Sequence, residues 1–293
     1  MRADGIRLKK IDPMYTVVPY IMNKRTDSMN MVTIDIPVEP IKKYRNEKRA
    51  AGTPVSNLAV IIAAYIRTVA KYPQLNRFIA NCVPYARKDF SVAMVVLRSN
   101  DRENGTMSKV WFDLNDTVFD VEKKISDYIE INKQSVDTNN TDKMIKALLS
   151  IPGLCRVGVG LFKLMEKMNL LPKAVINLSP FHNSVVISDL ISIKTNHIYH
   201  HIYEFGTTSV FISMGNMREV PVRHGKDVEF VKCLPMGIVM DERICSGSYF
   251  ALAFQEFGNL LKNPALLENK PEKICYDEAL LPKQLKKITP DRV

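Results

Sequence analysis

The sequence has few of the residues, and none of the short motifs, that mark several specialised classes of protein. It contains one Trp, and its five Cys are an odd number at wide spacing, with no CxxC pair and no zinc-ligand pattern. This usage predicts reduced thiols and no metal site. The first seven residues are charged and lack the apolar core of a signal peptide. We therefore expect a cytoplasmic protein.

Motifs of common hydrolases are also missing. There is no Gly-rich phosphate loop, no Gly-x-Ser-x-Gly elbow and no HExxH, so nucleotide hydrolysis and covalent hydrolysis are poorly supported. Long apolar runs are missing too, because the most apolar predicted helix, Leu58–Tyr72, is shorter than the ~20 residues that a membrane helix needs. The sequence predicts no membrane span.

Charge is the most uneven feature of the composition. Forty-one Lys and Arg against 31 Asp and Glu give a net charge of +10, which favours an anionic partner. The basic residues do not collect in one arm or block, so a nucleic acid is disfavoured, whereas a pyrophosphate-bearing ligand is compatible with them. The apolar content of 46% and the charged content of 25% are those of an ordinary globular protein.

The order of periodic segments predicts a single α/β domain over residues 1–293, since no repeat and no Gly/Ser-rich or Pro-rich linker interrupts it. The predicted strands are Met29–Val38, Arg77–Val83, Phe90–Arg98, Ser108–Asp113, Val185–Ile193, Ser209–Met214, Val228–Cys233 and Gly237–Met240, with a hairpin around His224. The predicted helices are Ile41–Ala51, Leu58–Tyr72, Val118–Asn132 and Tyr249–Leu261. A turn is expected at residues 100–105 and a polar loop at 135–141.

Two further segments have a less regular pattern. Residues 144–171 are apolar but carry four basic residues and Pro152-Gly153. This pattern is typical of a pair of packed helices, or alternatively of a lid or a membrane-touching amphipathic element. The polar, Pro-spaced tail after Asn263-Pro264 predicts a surface extension.

One stretch combines an apolar strand, a charged corner and a helix. The run that opens at Pro235 ends at Asp241-Glu242-Arg243-Ile244-Cys245-Ser246-Gly247, and the helix from Tyr249 follows. In α/β proteins a corner between a strand and a helix is a usual place for a working side chain. We therefore expect the functional site at this corner.

The corner resembles the active-site corner of the chloramphenicol acetyltransferase-like acyltransferases, which include the catalytic domain of 2-oxoacid dehydrogenase acyltransferases. Their signature there is Asp-His-Arg-x-x-Asp-Gly in the dehydrogenase branch. Further resemblances lie in Tyr72–Asn76, Val186–Leu190 and Lys262–Leu267, so the similarity extends over about Pro19–Leu267. It implies a two-layer mixed sheet flanked by helices, and trimers with active sites between subunits. No lipoyl or subunit-binding module precedes this domain, so a free-standing protein is expected.

The resemblance also implies roles for individual residues. The catalytic His of the family, which deprotonates the acceptor, is replaced by Glu242. Ser188 matches the hydroxyl that stabilises the oxyanion. Ser246 replaces an Asp that pairs with an Arg from the N-terminal part of the fold, and Arg25 matches that Arg. The corner keeps three positions of the family frame, which are Asp241, Arg243 and Gly247.

The replacement of the catalytic His leaves the base open. A free Glu has a pKa of ~4.3 against ~8.5 for a thiol, so it is a far poorer base than imidazole unless burial raises that pKa. Arg25 could instead pair with Glu242. His200 or His201, a short distance after Ser188, could supply a relocated base, or could belong to a tyrosine-rich packing segment. No suitably placed carboxylate or Cys accompanies these histidines, which disfavours a metal.

Two functions follow from these residues. The first is acyl transfer between a coenzyme A thioester and a small thiol or hydroxyl acceptor, with Ser188 as the oxyanion donor and Glu242 or a nearby His as the base. In that function coenzyme A is a substrate and no cofactor is bound covalently. The second is a catalytically degenerate relative that keeps the fold for ligand binding or assembly.

Overall fold

The structure is a computed structural model that describes residues 2–97, 105–134, 149–150, 153–285 and 288. The strands in these ranges are β1 (Gly5–Arg7), β2 (Met29–Pro37), β3 (Arg77–Ala80), β4 (Val83–Arg87), β5 (Phe90–Leu97), β6 (Gly105–Phe112), β7 (Val185–Asp189), β8 (Val210–Met214), β9 (Arg218–His224) and β10 (Asp227–Asp241). The helices are α1 (Pro13–Ile21), α2 (Val38–Ala50), α3 (Asn57–Lys71), α4 (Val118–Gln134), α5 (Leu154–Lys167), α6 (Lys173–Leu178), α7 (Gly247–Lys262) and α8 (Pro282–Leu285).

The larger of two sheets is mixed. Its strands lie in the order β2-β10-β8-β7-β5-β6, and β9 pairs with the first half of β10. The pairs β5/β7 and β7/β8 are parallel, and the other pairs are antiparallel. Helices cover one face of this sheet. The predicted fold class, a mixed sheet flanked by helices, is confirmed.

Helix α3 forms the centre of the core. Its sequence is almost entirely apolar, and most of its residues are buried against the large sheet and α7. The hydroxyl of Ser56 caps its first turn by accepting from the amide of Ala59 at 3.1 Å. Pro73 lies two residues after the last helical residue, and the residue before a proline is disfavoured in a helix. The prediction of a capped, buried core helix here is confirmed.

The opposite face of the large sheet is covered by the segment of residues 196–203, which we call the His-rich segment. Ser213 on β8 fixes it by accepting from the amide of Ile198 at 3.1 Å and donating to its carbonyl oxygen. Gly237 on β10 lies beneath the segment, and a Cβ there would come within 2.4 Å of the Ile198 oxygen. Glycine is therefore required at position 237 for the segment to lie this close to the sheet.

Several predicted strands are wrong in their bounds. The predicted strand Val185–Ile193 ends at Asp189, and Ile191–Ile193 form a 3-10 helix. Arg77–Val83 is not one strand but the hairpin β3–β4, which turns at Asn81 and Cys82, both with left-handed φ. Val228–Cys233 and Gly237–Met240 are parts of one strand, β10, which continues through Pro235. Pro235 lies between the last residue that pairs with β9, Cys233, and the first that pairs with β8, Met236, where a proline is tolerated.

The tail is more than the predicted surface extension. Asp277 forms a buried, two-bonded ion pair with Arg77 at 2.5 and 2.7 Å. Ala279 and Leu280 are buried in a small cluster with β1 and β4. The chain after residue 264 therefore closes one side of the small sheet, which has the order β1-β4-β3.

The prediction for residues 144–171 lies partly outside the described residues, as does that of a loop at 135–141. The turn expected at 100–105 lies outside them except for Gly105, which begins β6. Helix α5 is amphipathic, and its side chains Val157, Leu161 and Leu164 are exposed. In the part of the chain that the structure describes, no helix is both long and apolar enough to cross a membrane.

Candidate active site

The corner after β10 is built around Asp241, whose side chain is 0% exposed. The guanidinium of Arg243 donates two hydrogen bonds to its carboxylate, with Nε 2.8 Å from Oδ1 and Nη2 2.7 Å from Oδ2. The amide of Arg243 and the hydroxyl of Ser28 also donate to Oδ1. Arg243 further donates to the carbonyl oxygen of Met22 at 2.9 Å. These bonds satisfy the buried carboxylate and tie the corner to the end of α1.

Arg25 is the second buried cation at the corner. Its Nε lies 3.8 Å from Oδ2 of Asp241, and its guanidinium donates to the carbonyl oxygens of Ile79 and Glu204. Burial lowers the pKa of Arg25, and the charge of Asp241 opposes that shift. The alternative pairing of Arg25 with Glu242 is not what the structure shows. Arg25 instead joins the corner, the small sheet and the end of the His-rich segment.

Glu242 is only half-buried, and the ion pairs of Arg25 and Arg243 are with Asp241 instead. Its Oε2 accepts from the side-chain Nδ2 of Asn30 at 2.7 Å, and its backbone amide donates to the carbonyl oxygen of Ser28 at 2.9 Å. The carboxylate is therefore held on the outer edge of β2.

The last two corner positions begin helix α7. The hydroxyl of Ser246 accepts from the amide of Tyr249 at 3.2 Å, which makes Ser246 the N-cap. Gly247 is exposed, and a Cβ there would meet nothing within 4 Å. Cys245, next to them, is buried, and burial raises the pKa of its thiol far above the usual range. A thiol held protonated in this way is a poor nucleophile.

Ser188 lies on β7, in a row that crosses the sheet. It is in register with Ser213 on β8, which is in register with Gly237 on β10. Within the described part of the chain its hydroxyl has no side-chain hydrogen bond, and it is half-buried. Glu242 lies two strands away and five residues beyond Gly237, just past the end of β10. Strand spacing and rise place the two residues about 19 Å apart in one chain.

The predicted histidines stack on aromatic rings of the sheet face. The ring of His200 lies parallel to that of Phe211, with 4.3 Å between centroids, and its Nδ1 bonds the carbonyl of His201. His201 is exposed and packs edge-on to Tyr203. Their surroundings match the packing alternative for this segment more closely than a base pointing at Ser188.

No role was predicted for His197 from the sequence, although the tyrosine-rich segment that contains it was noted. The structure places His197 in the same row as Ser188, above Gly237, with Nε2 3.0 Å from the hydroxyl of Thr33 on β2. Only the strand register could have identified this residue, because Thr33 is 164 positions away. Among the described residues, no group of three His, Cys, Asp or Glu could hold a metal ion.

The structure also contains a cavity of about 120 Å³. It is bounded by the tail, by the end of β4 and by the turn after β6, and residues such as Asn76, Phe112 and Tyr276 line it. It contains none of the predicted site residues.

No family model matches the sequence, and no curated protein matches it either. Solved structures match the fold. A probable dihydrolipoamide acetyltransferase from Listeria monocytogenes has a TM-score of 0.55 at 12% identity, with 87% of this chain and 95% of that chain covered. The dihydrolipoamide acetyltransferase of Azotobacter vinelandii has a TM-score of 0.57 at 13% identity, with 88% and 93% covered.

A chloramphenicol acetyltransferase is similar to the same extent. Its TM-score is 0.53 at 10% identity, and the alignment covers 88% of this chain and 99% of that one. At identities this low, the matches show a shared backbone arrangement and not a shared chemistry. The mixed sheet, the order of its strands and these three structures together show that the chain has the chloramphenicol acetyltransferase-like fold.

Proposed function

We propose that the protein transfers an acyl group between a coenzyme A thioester and a small thiol or hydroxyl acceptor. The environment of Ser188 is the main observation in support of this proposal. This residue is a half-buried serine with a free hydroxyl on β7 of this fold, at the position where the family resemblance puts the oxyanion donor. An unengaged hydroxyl can donate to the negative oxygen that develops on a thioester carbonyl under attack.

The order of residues supports the same site. The Azotobacter vinelandii structure belongs to a study of a serine, a histidine and an asparagine in the catalytic mechanism of that acetyltransferase. Ser188, Glu242 and Ser246 follow one another in the same order and at nearly the same spacing. In this proposal the acceptor loses its proton to a base and attacks the carbonyl carbon. The carbon–sulfur bond then breaks, and the coenzyme A sulfur takes up the proton.

The proposal includes a homotrimer with each site between two subunits. Ser188 and Glu242 lie about 19 Å apart in one chain, so they can serve one reaction only if different chains supply them. Helix α1, beside the corner, exposes Met14, Val17 and Ile21 on one face. An exposed apolar face of this kind marks an interaction site, and a second copy of the chain would cover it.

Light scattering tests the assembly directly. We expect a particle of three times the chain mass of 33.3 kDa. Replacing Val17 by Asp on the exposed face of α1 should shift the mass toward one chain without loss of the fold. A wild-type monomer, or a Val17→Asp variant of unchanged mass, would contradict the assembly.

Calorimetric titration with coenzyme A and acetyl-coenzyme A, combined with a thiol-release assay over varied acceptors, tests the reaction. Ser188→Ala should lower turnover by about 10²- to 10³-fold, as the loss of one oxyanion donor does. Ser192→Ala is the matched control, because Ser192 is exposed close by and its hydroxyl donates to the carbonyl oxygen of Asp189. Equal turnover in both variants would remove Ser188 from the reaction.

A specific observation favours a second candidate, a ligand-binding protein without turnover. The residue in place of the catalytic histidine is a carboxylate already engaged by Asn30 at 2.7 Å. The two residues that differ from the family signature, Glu242 and Ser246, lie outside the contacts that the buried arginines make with Asp241. Binding of coenzyme A with no thiol release for any acceptor would select this candidate, and absence of binding would remove coenzyme A from both.

A further inference from the structure

A hydroxyl, an imidazole and a phenol meet on the sheet face at Thr33. The hydroxyl of Thr33 lies 3.0 Å from Nε2 of His197 and 2.5 Å from the hydroxyl of Tyr199. Thr33 is half-buried and Tyr199 is 44% exposed, so the group is reachable from solvent. A hydroxyl within hydrogen-bond reach of an imidazole is the usual arrangement of an activated nucleophile and its base.

The donor and the acceptor in each of these hydrogen bonds can be assigned. Thr33 has one hydrogen and can accept from Tyr199 while it donates to Nε2 of His197. The imidazole hydrogen is then on Nδ1, which is buried and has no hydrogen-bond partner. A buried polar atom without a partner costs about 1–3 kcal/mol. Native structures contain few such atoms, and a catalytic role is one of the reasons for them.

The backbone beneath His197 is shaped to allow this contact. A Cβ on Gly237 would lie 3.1 Å from Cδ2 of His197 and 2.4 Å from the Ile198 oxygen. Any other residue at position 237 would push the His-rich segment outward and move Nε2 away from Thr33. Three elements, β2, β10 and the segment, therefore combine to bring the imidazole to the hydroxyl.

We propose that Thr33 is an acyl-accepting nucleophile, with His197 as its general base and an activated ester or thioester as its substrate. The Thr33 proton passes to Nε2 of His197 as Oγ1 attacks the carbonyl carbon. The bond from that carbon to the leaving oxygen or sulfur breaks, and Nε2 returns the proton to the leaving group. The product is an ester on Thr33, which a second acceptor or water can cleave.

This site differs from the one at Ser188. Thr33 and Ser188 are three strands apart in the same row of the sheet, which is about 14 Å. Ser188 is thus too distant to stabilise an oxyanion on Thr33 in its own chain. Tyr199 is the hydroxyl donor in reach. The inference therefore goes beyond the proposed function and does not depend on it.

The test is acetylation of the full chain by p-nitrophenyl acetate. We expect a phenolate burst, one added acetyl group by intact mass, and assignment of that acetyl to Thr33 by peptide mass spectrometry. His197→Gln should slow the burst by about 10²-fold or more, as loss of a general base does. Thr33→Val should abolish the labelled peptide, whereas Thr33→Ser, which keeps the hydroxyl, should be labelled.

Two controls separate the outcomes. His224→Gln changes an exposed histidine of the β9–β10 hairpin and should leave the burst unchanged. Ser188→Ala should leave Thr33 labelling unchanged while it lowers coenzyme A turnover, so the two proposals can fail separately. Acetyl found on Tyr199 or on lysines instead of Thr33, or an unchanged burst in folded His197→Gln, would overturn the inference. The two bonds of Thr33 would then serve only to fasten the segment.

Discussion

Replacing Asp241 by Asn tests how the corner is held. The side chain of Asp241 is fully buried between Arg243, in two hydrogen bonds of 2.8 and 2.7 Å, and Arg25 at 3.8 Å. Asn has the same shape and can still accept from the hydroxyl of Ser28. The change removes the negative charge and replaces one acceptor oxygen by an NH2 donor that faces a guanidinium group, so two buried guanidinium groups lose their counter-charge.

The expected cost follows from this burial. Removing one partner of a buried ion pair typically destabilises a protein by about 3–5 kcal/mol, because the other charge stays buried and uncompensated. Stability of a domain is only about 5–15 kcal/mol in total, so the loss is a large part of it. Urea unfolding followed by far-UV circular dichroism and by the fluorescence of Trp111 should show a lower midpoint at an unchanged slope.

A second substitution distinguishes this cause from a simple loss of contacts. If the uncompensated charge of Arg243 causes the loss of stability, then Arg243→Met added to Asp241→Asn should recover part of that stability. The control Asp35→Asn removes the partner of Arg218, which is exposed, and should shift the midpoint little. An Asp241→Asn variant as stable as this control, or a double variant with the summed loss of both singles, would refute the reasoning.

Two further predictions concern other buried charged groups. Asp277→Asn should cost about 3–5 kcal/mol, because it leaves Arg77 buried and unpaired, and it should make the tail sensitive to protease; a tail cut at the wild-type rate would contradict this. Burial lowers the pKa of His182 from 6.5, and although burial acts to raise the pKa of Glu166, its hydrogen bond to His182 and its pairing with Arg2 lower it from 4.5. Both groups bind more protons in the unfolded state, so stability should fall as the pH drops below 6.5 and again below 4.5. Melting temperatures measured between pH 7 and pH 4 should decline less steeply in His182→Gln, and equal declines would exclude the pair as the cause.

The fold was predictable where local signals agree with one another. Helix α3 has a capping serine, an unbroken apolar run and a following proline, and its bounds were predicted to within a residue. Strand β2 was found in the same way, from alternation closed by Pro37. The hairpin β3–β4 was missed because its turn, Asn81-Cys82, contains neither glycine nor proline. Its two left-handed residues do not stand out in an apolar run.

Long-range pairing explains the other differences. The tail is polar in sequence, yet Asp277 is buried because Arg77, 200 residues earlier, supplies its counter-charge. No periodicity reports such a partner. Likewise His197, His200 and His201 are equivalent in sequence. Only the register of β2, β10 and β8 brings His197, and not its neighbours, onto a hydroxyl.

The corner itself shows why its frame could be predicted from the motif while its chemistry could not. The residues that fix its shape are Asp241 and Arg243, two positions apart, and Arg25 beneath them. The positions that differ from the acyltransferase signature, Glu242 and Ser246, take no part in that charge cluster. Glu242 is held at the surface by Asn30, and Ser246 caps α7. Since the charge cluster does not depend on these two positions, they can change without breaking it, and the backbone of the corner therefore does not determine its chemistry.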